Sequence, residues 1–275
     1  MVKKITFYTL LSIMGFFSVF PLLWMVATSF NSSGAIFKVP PTIIPDMLFK
    51  HGMWSNYVSI FKDYNFGRFT LNSTIVAFGA AIGQLITCSM AAFAFAKMQF
   101  KGKEILFGLL LATMMIPLEV TIIPEFLIMF KLHWLNTYLP LIVPSFLVGS
   151  FGTFLLREFF ENVPDDLIDA AVIDGANSFA IYRKIFLPLA KTPLTALFLI
   201  AFMNNWNALL RPVLYIDKES LFTLTIGLTN FQSQYESQWN LLLSGSVVSI
   251  LPLIILYIFL QKYFVEGIAG TGIKG

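Results

Sequence analysis

Apolar residues fall along this chain in long unbroken runs. They do not show the alternating or three-to-four-residue spacing of soluble strands and helices. Six runs are long enough to cross a bilayer as helix, which takes about 20 residues. They are Ile5–Phe30, Phe69–Ala96, Ile105–Phe130, Tyr138–Phe160, Pro193–Tyr215 and Leu241–Phe264. The joints between them are short apart from two, at Asn31–Arg68 and at a charged segment, Pro164–Pro193. The pattern predicts an all-α integral membrane protein with six transmembrane helices and a cytoplasmic two-helix loop at about residues 161–192. Residues 1–68 would form a first helix and an external loop, residues 69–264 a five-helix domain, and residues 265–275 a tail. Lys3 and Lys4 precede the first run as in a signal peptide. That run is too long for one and lacks a clear small-x-small cleavage site, so it is read as a retained span.

Composition agrees with the pattern. Of 275 residues, 57% are hydrophobic and 12% charged, with mean hydropathy +0.78; soluble domains carry roughly twice that charged fraction. The net charge of +3 gives no basis for nucleic-acid binding. Cys88 is the only cysteine, and His51 and His133 stand far apart, so neither a disulfide nor a metal cluster is expected. No Gly-rich phosphate loop followed by Lys-Ser/Thr occurs, so the chain is not expected to bind ATP or to be an enzyme.

Lys and Arg placement sets the orientation. With the N-terminus inside, eleven basic residues lie on the inner side and seven on the outer. The short joint holding Lys97, Lys101 and Lys103 favours this choice, which puts both termini and the segment Pro164–Pro193 in the cytoplasm. The outer loop carries Pro40, Pro41 and Pro45 with Trp54, Tyr57 and Tyr64. It reads either as an interfacial cap on the bundle or as a dock for an external partner.

The charged segment reads as two short helices. Pro164 suits a first turn, and Asp165, Asp166 and Asp169 favour a helix N-terminus. Leu167, Ile168, Ala171 and Val172 form one apolar stripe at helical spacing. Ala170 and Ala171 permit close approach by another surface. Asp174-Gly175 ends the first helix, and Asn177 or Ser178 caps a second. Arg183 and Lys184 suit its last turn; Pro188 and Pro193 would stop it and start the fifth span. An amphipathic helix lying on the membrane is the plainer alternative to a docking knob.

Polar groups within the spans are costly unless they face protein or water. At 1.5 Å per residue, Asn204, Asn205 and Asn207 lie roughly 16–21 Å past Pro193, near mid-membrane. Beside Trp206 they suit a path for a hydroxyl-rich solute, with interhelical hydrogen bonding as the alternative. Glu119 lies roughly 21 Å past Ile105 by the same measure. Pro117 and Pro124 flank it and should kink the span. It faces either a translocation cavity or a basic group of a partner. Glu125 reads as solvated, and Gly79-x-x-x-Gly83 as a packing face.

These residues also resemble a known family. Asp169-Ala170-Ala171, then Asp174-Gly175-Ala176, then Leu187-Pro188 resemble the "EAA" loop of permease subunits in binding-protein-dependent ABC importers. That pattern reads Glu-Ala-Ala, three residues, Gly, about nine residues, Ile-x-Leu-Pro; here Asp169 replaces the Glu and shortens the carboxylate's reach. Asn56-Tyr57, Asn72-Ser73, Met115-Ile116-Pro117, Ile123-Pro124, Leu135-Asn136-Thr137 and Trp206-Asn207 follow in the order of carbohydrate-type permeases. The tail Tyr263-Phe264-Val265-Glu266-Gly267, with Gly270, Lys274 and Gly275, is similar to that of the maltose-permease G-type subunit. The resemblance implies the type I importer permease fold in a bacterial inner membrane. It implies partnership with a second permease subunit, two ATPases carrying ATP and Mg, and an extracytoplasmic binding protein. The first loop helix, with Asp166, Leu167, Asp169, Ala170, Ala171, Asp174, Gly175 and Ala176, would then sit in an ATPase groove. Gly267, Gly270, Lys274 and Gly275 would reach toward the ATPase interface. In the maltose-type transporter the other permease holds most of the sugar, so this chain would line the path. A secondary transporter would need an ion site and usually an internal repeat, which is not seen; a non-transporting scaffold would not need midplane asparagines.

Overall fold

The computed structural model describes residues 2–39, 44–50, 52–232 and 238–271, with backbone only for Val2 and for residues 262–271. Among these residues every regular element is helical: α1 (Val2–Thr28), α2 (Ser55–Lys62), α3 (Phe66–Lys97), α4 (Lys103–Ala112), α5 (Leu118–Lys131), α6 (Leu139–Ile142), α7 (Ser150–Glu161), α8 (Asp166–Ile173), α9 (Ser178–Ile181), α10 (Leu187–Leu189), α11 (Lys191–Trp206), α12 (Leu210–Tyr215), α13 (Leu224–Thr229) and α14 (Trp239–Thr271). Pro40, Pro41, His51, Lys274 and Gly275 lie outside the described residues. Gly267 and Gly270 fall within α14, which continues as helix where the sequence suggested a tail.

Four helical stretches are long and apolar enough to cross a membrane: Lys3–Thr28, Phe66–Lys97, Leu139–Glu161 and Trp239–Gln261. Two bent pairs raise the number to six if each is one span: Lys103–Met115 with Leu118–Lys131, bent by 101°, and Ser178–Leu189 with Lys191–Trp206, bent by 81°. The third predicted span is therefore not one straight rod. Pro117 is extended, at φ −69° and ψ 145°, and starts α5 instead of continuing α4. Pro124 sits inside α5 without breaking it. The fifth predicted span, Pro193–Tyr215, also divides. Its helix starts two residues early at Lys191 and ends at Trp206, and α12 resumes at Leu210. Pro188 does not stop the preceding helix either. A wide π-turn at Tyr182–Phe186 precedes it, a register shift that accommodates a residue with no amide to donate. The break falls at Ala190.

The chain divides into two compact units. The first comprises Met1–Thr70 with Ile226–Pro252, and its polar hub is Asn56. The last carbonyls of a helix lack partners within it. Asn56 Nδ2 donates to the carbonyls of Ser29 and Asn31, at 2.8 and 2.9 Å, just past the end of α1. Asn240 Nδ2 donates to Asn56 Oδ1, and Ser244 Oγ adds a bond to Ser29 O. Phe30, Trp54 and Tyr57 cluster over this hub with centroids 5.3–5.6 Å apart, so the loop aromatics pack on the chain's own helices. Asp46 accepts from the amide and hydroxyl of Ser32 at 2.8 and 2.6 Å. Burial opposes ionisation there, but the Ser32 bonds with Lys50 and Lys38 outweigh it and lower the Asp46 pKa.

The second unit comprises Leu71–Thr225 with Leu253–Gly275. Its main apolar cluster gathers Cys88, Ala92, Phe93, Leu156, Phe160, Ile181, Phe186, Ala190 and Leu197. Small residues on α3 and α7 allow this density. A Cβ on Gly83 would stand 2.5 Å from the Phe146 ring, and one on Gly79 3.2 Å from Ile142. The Gly79-x-x-x-Gly83 face thus receives the α6 segment. A Cβ on Gly152 would meet Cys88 Sγ at 2.8 Å and both Leu197 methyls at 3.0 Å.

Leu197 is fully buried, whereas Phe146 is 45% exposed and can swing. Gly152→Ala should therefore cost about 1–3 kcal/mol by overpacking, and Gly83→Ala clearly less. Thermal unfolding of the detergent-purified protein, followed by size-exclusion fluorescence, checks the order.

Candidate functional site

Two regions of the second unit carry the residues singled out by sequence. The first is the segment between α7 and α11. Lys97, at the end of α3, has a buried side chain (7% exposed) and reaches across to the start of α8. Its Nζ donates to Val163 O at 2.7 Å and to Asp165 Oδ1 at 2.6 Å. Asp165 is 76% exposed, so the bond to the buried carbonyl matters more than the ion pair.

Helix α8 ends in a Schellman motif. Gly175 N donates to Val172 O and Ala176 N to Ala171 O, each at 2.9 Å, with Gly175 at φ +80°. Asn177 rather than Ser178 caps α9: its Oδ1 accepts from Ala180 N at 2.8 Å. The expected single apolar stripe on α8 divides in two. Ile168 and Ala171, with Ala176 beyond the turn, pack against the buried cluster. Leu167, Val172 and Ile173 stay outward, 41, 57 and 86% exposed. A stripe four residues wide exceeds what one neighbour can cover on an eight-residue helix. Asp166, Asp169, Ala170, Asp174 and Gly175 are also exposed, and the three acids have no ion-pair partner among the described residues.

The second region is a cavity of about 480 Å³. Its lining includes Asn204, Asn205, Gln84, Ser145 and Arg211. Three breaks in helical structure reach it: Leu118 after Pro117, Leu147–Gly149 ahead of α7, and Ala208–Leu209 between α11 and α12. Asn205 Nδ2 donates back to Ala201 O at 2.8 Å, which leaves its Oδ1 for the cavity. Trp206 is buried at 2% exposure and stacks on Phe202, so its indole face is taken. Asn207 caps α11 and is exposed away from the lining. Glu119 occupies the first turn of α5, exposed and outside the lining. The depth reckoned along a straight helix does not apply to it after a 101° bend.

Sequence reading missed two features. Glu125 is not simply solvated: it is 15% exposed and accepts from Arg211 Nη2 at 2.9 Å. Residues 215–224 are held by the polar members of two motifs. Asn136, at φ +58°, accepts from the amides of Asp217 and Lys218 and donates its own amide to Tyr215 O. Asn72 Nδ2 donates to Ser220 O and Phe222 O, and Ser73 Oγ accepts from Leu224 N at 2.7 Å. Both motifs stood in the sequence; their shared target, some 80 to 150 residues away, did not.

Several apolar helices around a polar cavity built from helix breaks define a multi-pass membrane transport subunit. The chain belongs to the family of binding-protein-dependent transport system inner membrane components, which it matches over residues 84–270. It is 35% identical over 263 residues to the arabinooligosaccharides transport system permease protein of Halalkalibacterium halodurans, covering 94% of this chain and 92% of that one. It is 32% identical over 257 residues to the sn-glycerol-3-phosphate transport system permease protein of Salmonella typhi, covering 92% and 91%. Its fold is that of a chain in the crystal structure of a bacterial ABC transporter involved in the import of the acidic polysaccharide alginate, with TM-score 0.81 and 24% identity over 96% of both chains. This chain is an inner membrane permease component of a binding-protein-dependent transport system.

Lys97→Ala should loosen the segment, because a buried carbonyl loses its donor at a cost of about 1–3 kcal/mol. Asp165→Ala should cost under about 1 kcal/mol. Hydrogen exchange at residues 163–176 should rise strongly in the first variant and little in the second.

Proposed function

We propose that this subunit, with a second permease subunit, moves a sugar or sugar-like solute inward by alternating access. Two ATPases that hold ATP and Mg drive it, and an extracytoplasmic binding protein delivers the solute. The outward face of α8 supports this most. It presents Leu167, Val172 and Ile173 beside Asp166 and Asp169, which have no ion-pair partner among the described residues, on a helix locked at its C-terminal end by Gly175. Apolar side chains with flanking acids suit a groove in a soluble partner that offers an apolar floor and basic rims. In the orientation with both termini inside, that partner is the cytoplasmic ATPase. Gly267, Gly270, Lys274 and Gly275 would approach the same partner.

The solute class rests on the relatives' names, which concern arabinooligosaccharides and sn-glycerol-3-phosphate, and on the amide-lined cavity. Amides both donate and accept, as hydroxyl-rich solutes require. Asn204 and Asn205 would meet the solute directly, while Trp206 holds α11 in place beneath them. ATP can shift the bundle only by binding one state better than the other, and the docked segment is where that preference would reach this chain.

Gly175 separates docking from folding. No atom lies within 4 Å of a Cβ placed there, so a side chain adds backbone strain of about 1–2 kcal/mol but no internal clash. Gly175→Asn tolerates that φ and should keep ATPase co-purification. Gly175→Trp should lose most of it while the bundle's thermal stability stays near wild type; equal retention by both would sink the docking role. Asn205→Ala should raise the half-saturation concentration for uptake several-fold at unchanged ATPase coupling, and an unaltered uptake curve would remove Asn205 from the path.

A further inference from the structure

Arg211 is the one charged residue in the cavity lining; the polar groups around it, Asn204, Asn205, Gln84 and Ser145, are neutral. Its only acidic contact among the described residues is Glu125, which arrives from α5 just beyond Pro124. The pair is poorly made for a structural purpose. Arg and carboxylate bind best through two parallel bonds, yet here one bond of 2.9 Å is formed. Glu125 Oε1 and Arg211 Nε are buried and make no hydrogen bond of good geometry among the described residues, and Tyr215 Oη, also buried, stands beside both side chains. Two such atoms on one ion pair are unusual, because buried polar groups are nearly always satisfied. The Arg211 side chain is 38% exposed while Glu125 is 15% exposed, so the pair is only half-withdrawn from the cavity and its guanidinium stays accessible there. The cluster therefore holds spare hydrogen-bonding capacity beside a cavity, on groups of opposite charge.

We infer that Arg211 meets the solute and that Glu125 sets the charge it presents, making this pair the charge filter of the path. The inference rests on the reading of the cavity as that path. With Glu125 ionised behind it, Arg211 offers strong donors to the cavity while the pair as a whole carries no net charge, which suits neutral polyhydroxylated solutes. Without the Glu125 charge, the same cavity presents a bare guanidinium and favours solutes bearing carboxylate or phosphate. Pro124 lies inside α5 without ending it, so Glu125 stays on that helix.

The cavity's field can be read without knowing the solute. In a Cys88→Ser background, Asn204→Cys places a thiol in the lining of the full importer in membrane vesicles. Its reaction rates with anionic 2-sulfonatoethyl methanethiosulfonate and the cationic trimethylammonium analogue give an anion-to-cation ratio. Glu125→Gln should raise that ratio about tenfold, as one unit charge acting over several ångströms of partly solvated protein implies. Arg211→Gln should lower it by a similar factor, and the double variant should return it close to wild type. Labelling whose ratio ignores both single variants overturns the charge filter alone. A thiol that neither reagent reaches in any nucleotide state overturns the path itself and the filter with it. If each single variant fails to assemble while the double variant assembles, the pair is structural and the inference falls.

Discussion

A chain in hydrocarbon has no water to satisfy an amide or carbonyl released from a helix. Broken helices therefore survive there only where side chains or an aqueous cavity take up the freed groups. Most of the second unit follows from that constraint. The carbonyl of Leu147 accepts from Thr87 at 3.3 Å, that of Gly149 from Cys88 Sγ at 3.3 Å, and that of Ala208 from Thr225 Oγ1 at 2.7 Å. Each donor is a short polar side chain on or beside a neighbouring apolar helix. Their placement looks incidental in a hydropathy plot, yet each lies where a break needs it. The breaks then converge on one cavity, and the asparagines at the end of α11 line it.

The same constraint separates what could be read from the sequence from what could not. Run length identified the apolar segments, and Pro117 marked where one would bend. Hydropathy counts residues but not their direction, so a 101° turn at Pro117 invalidates the depth reckoned for Glu119 while leaving the segment's limits nearly right. The predicted span runs on past Asn207 to Tyr215, whereas the helix α11 ends at Trp206. Asn204 and Asn205 reach the cavity because they occupy the last turn before that break. Trp206, one residue on, points into the packing with Phe202. Spacing alone could say that the three asparagines do not share a face, but not which of them would turn inward.

The segment between α7 and α11 was more legible because its signals are local. A Gly at a helix end and an Asn at the next helix start act through bonds spanning three to five residues, and both form as expected. The divided apolar stripe on α8 was not legible. Which half faces inward depends on Phe160, Ile181 and Phe186, which come from other helices. The Glu125–Arg211 contact was hidden for the same reason, its partners lying 86 positions apart.

The geometry also links the two regions by a short path through the chain. From Asn177 the backbone runs through α9, the π-turn and α10, bends by 81° at Ala190, and enters α11. The bend is encased: Phe186, Ala190 and Leu197 are fully buried and Ile181 nearly so. A packed bend of this kind resists flexing, since close-packed side chains transmit displacement instead of absorbing it. Helix α11 has 16 residues, about 24 Å at 1.5 Å each, and its far end carries Asn204 and Asn205. If α8 docks as proposed, a rotation applied there would reach the cavity lining along this one packed connection. The π-turn is the place along that connection where the hydrogen-bond register is already shifted, and so where a change of register would need the least rearrangement.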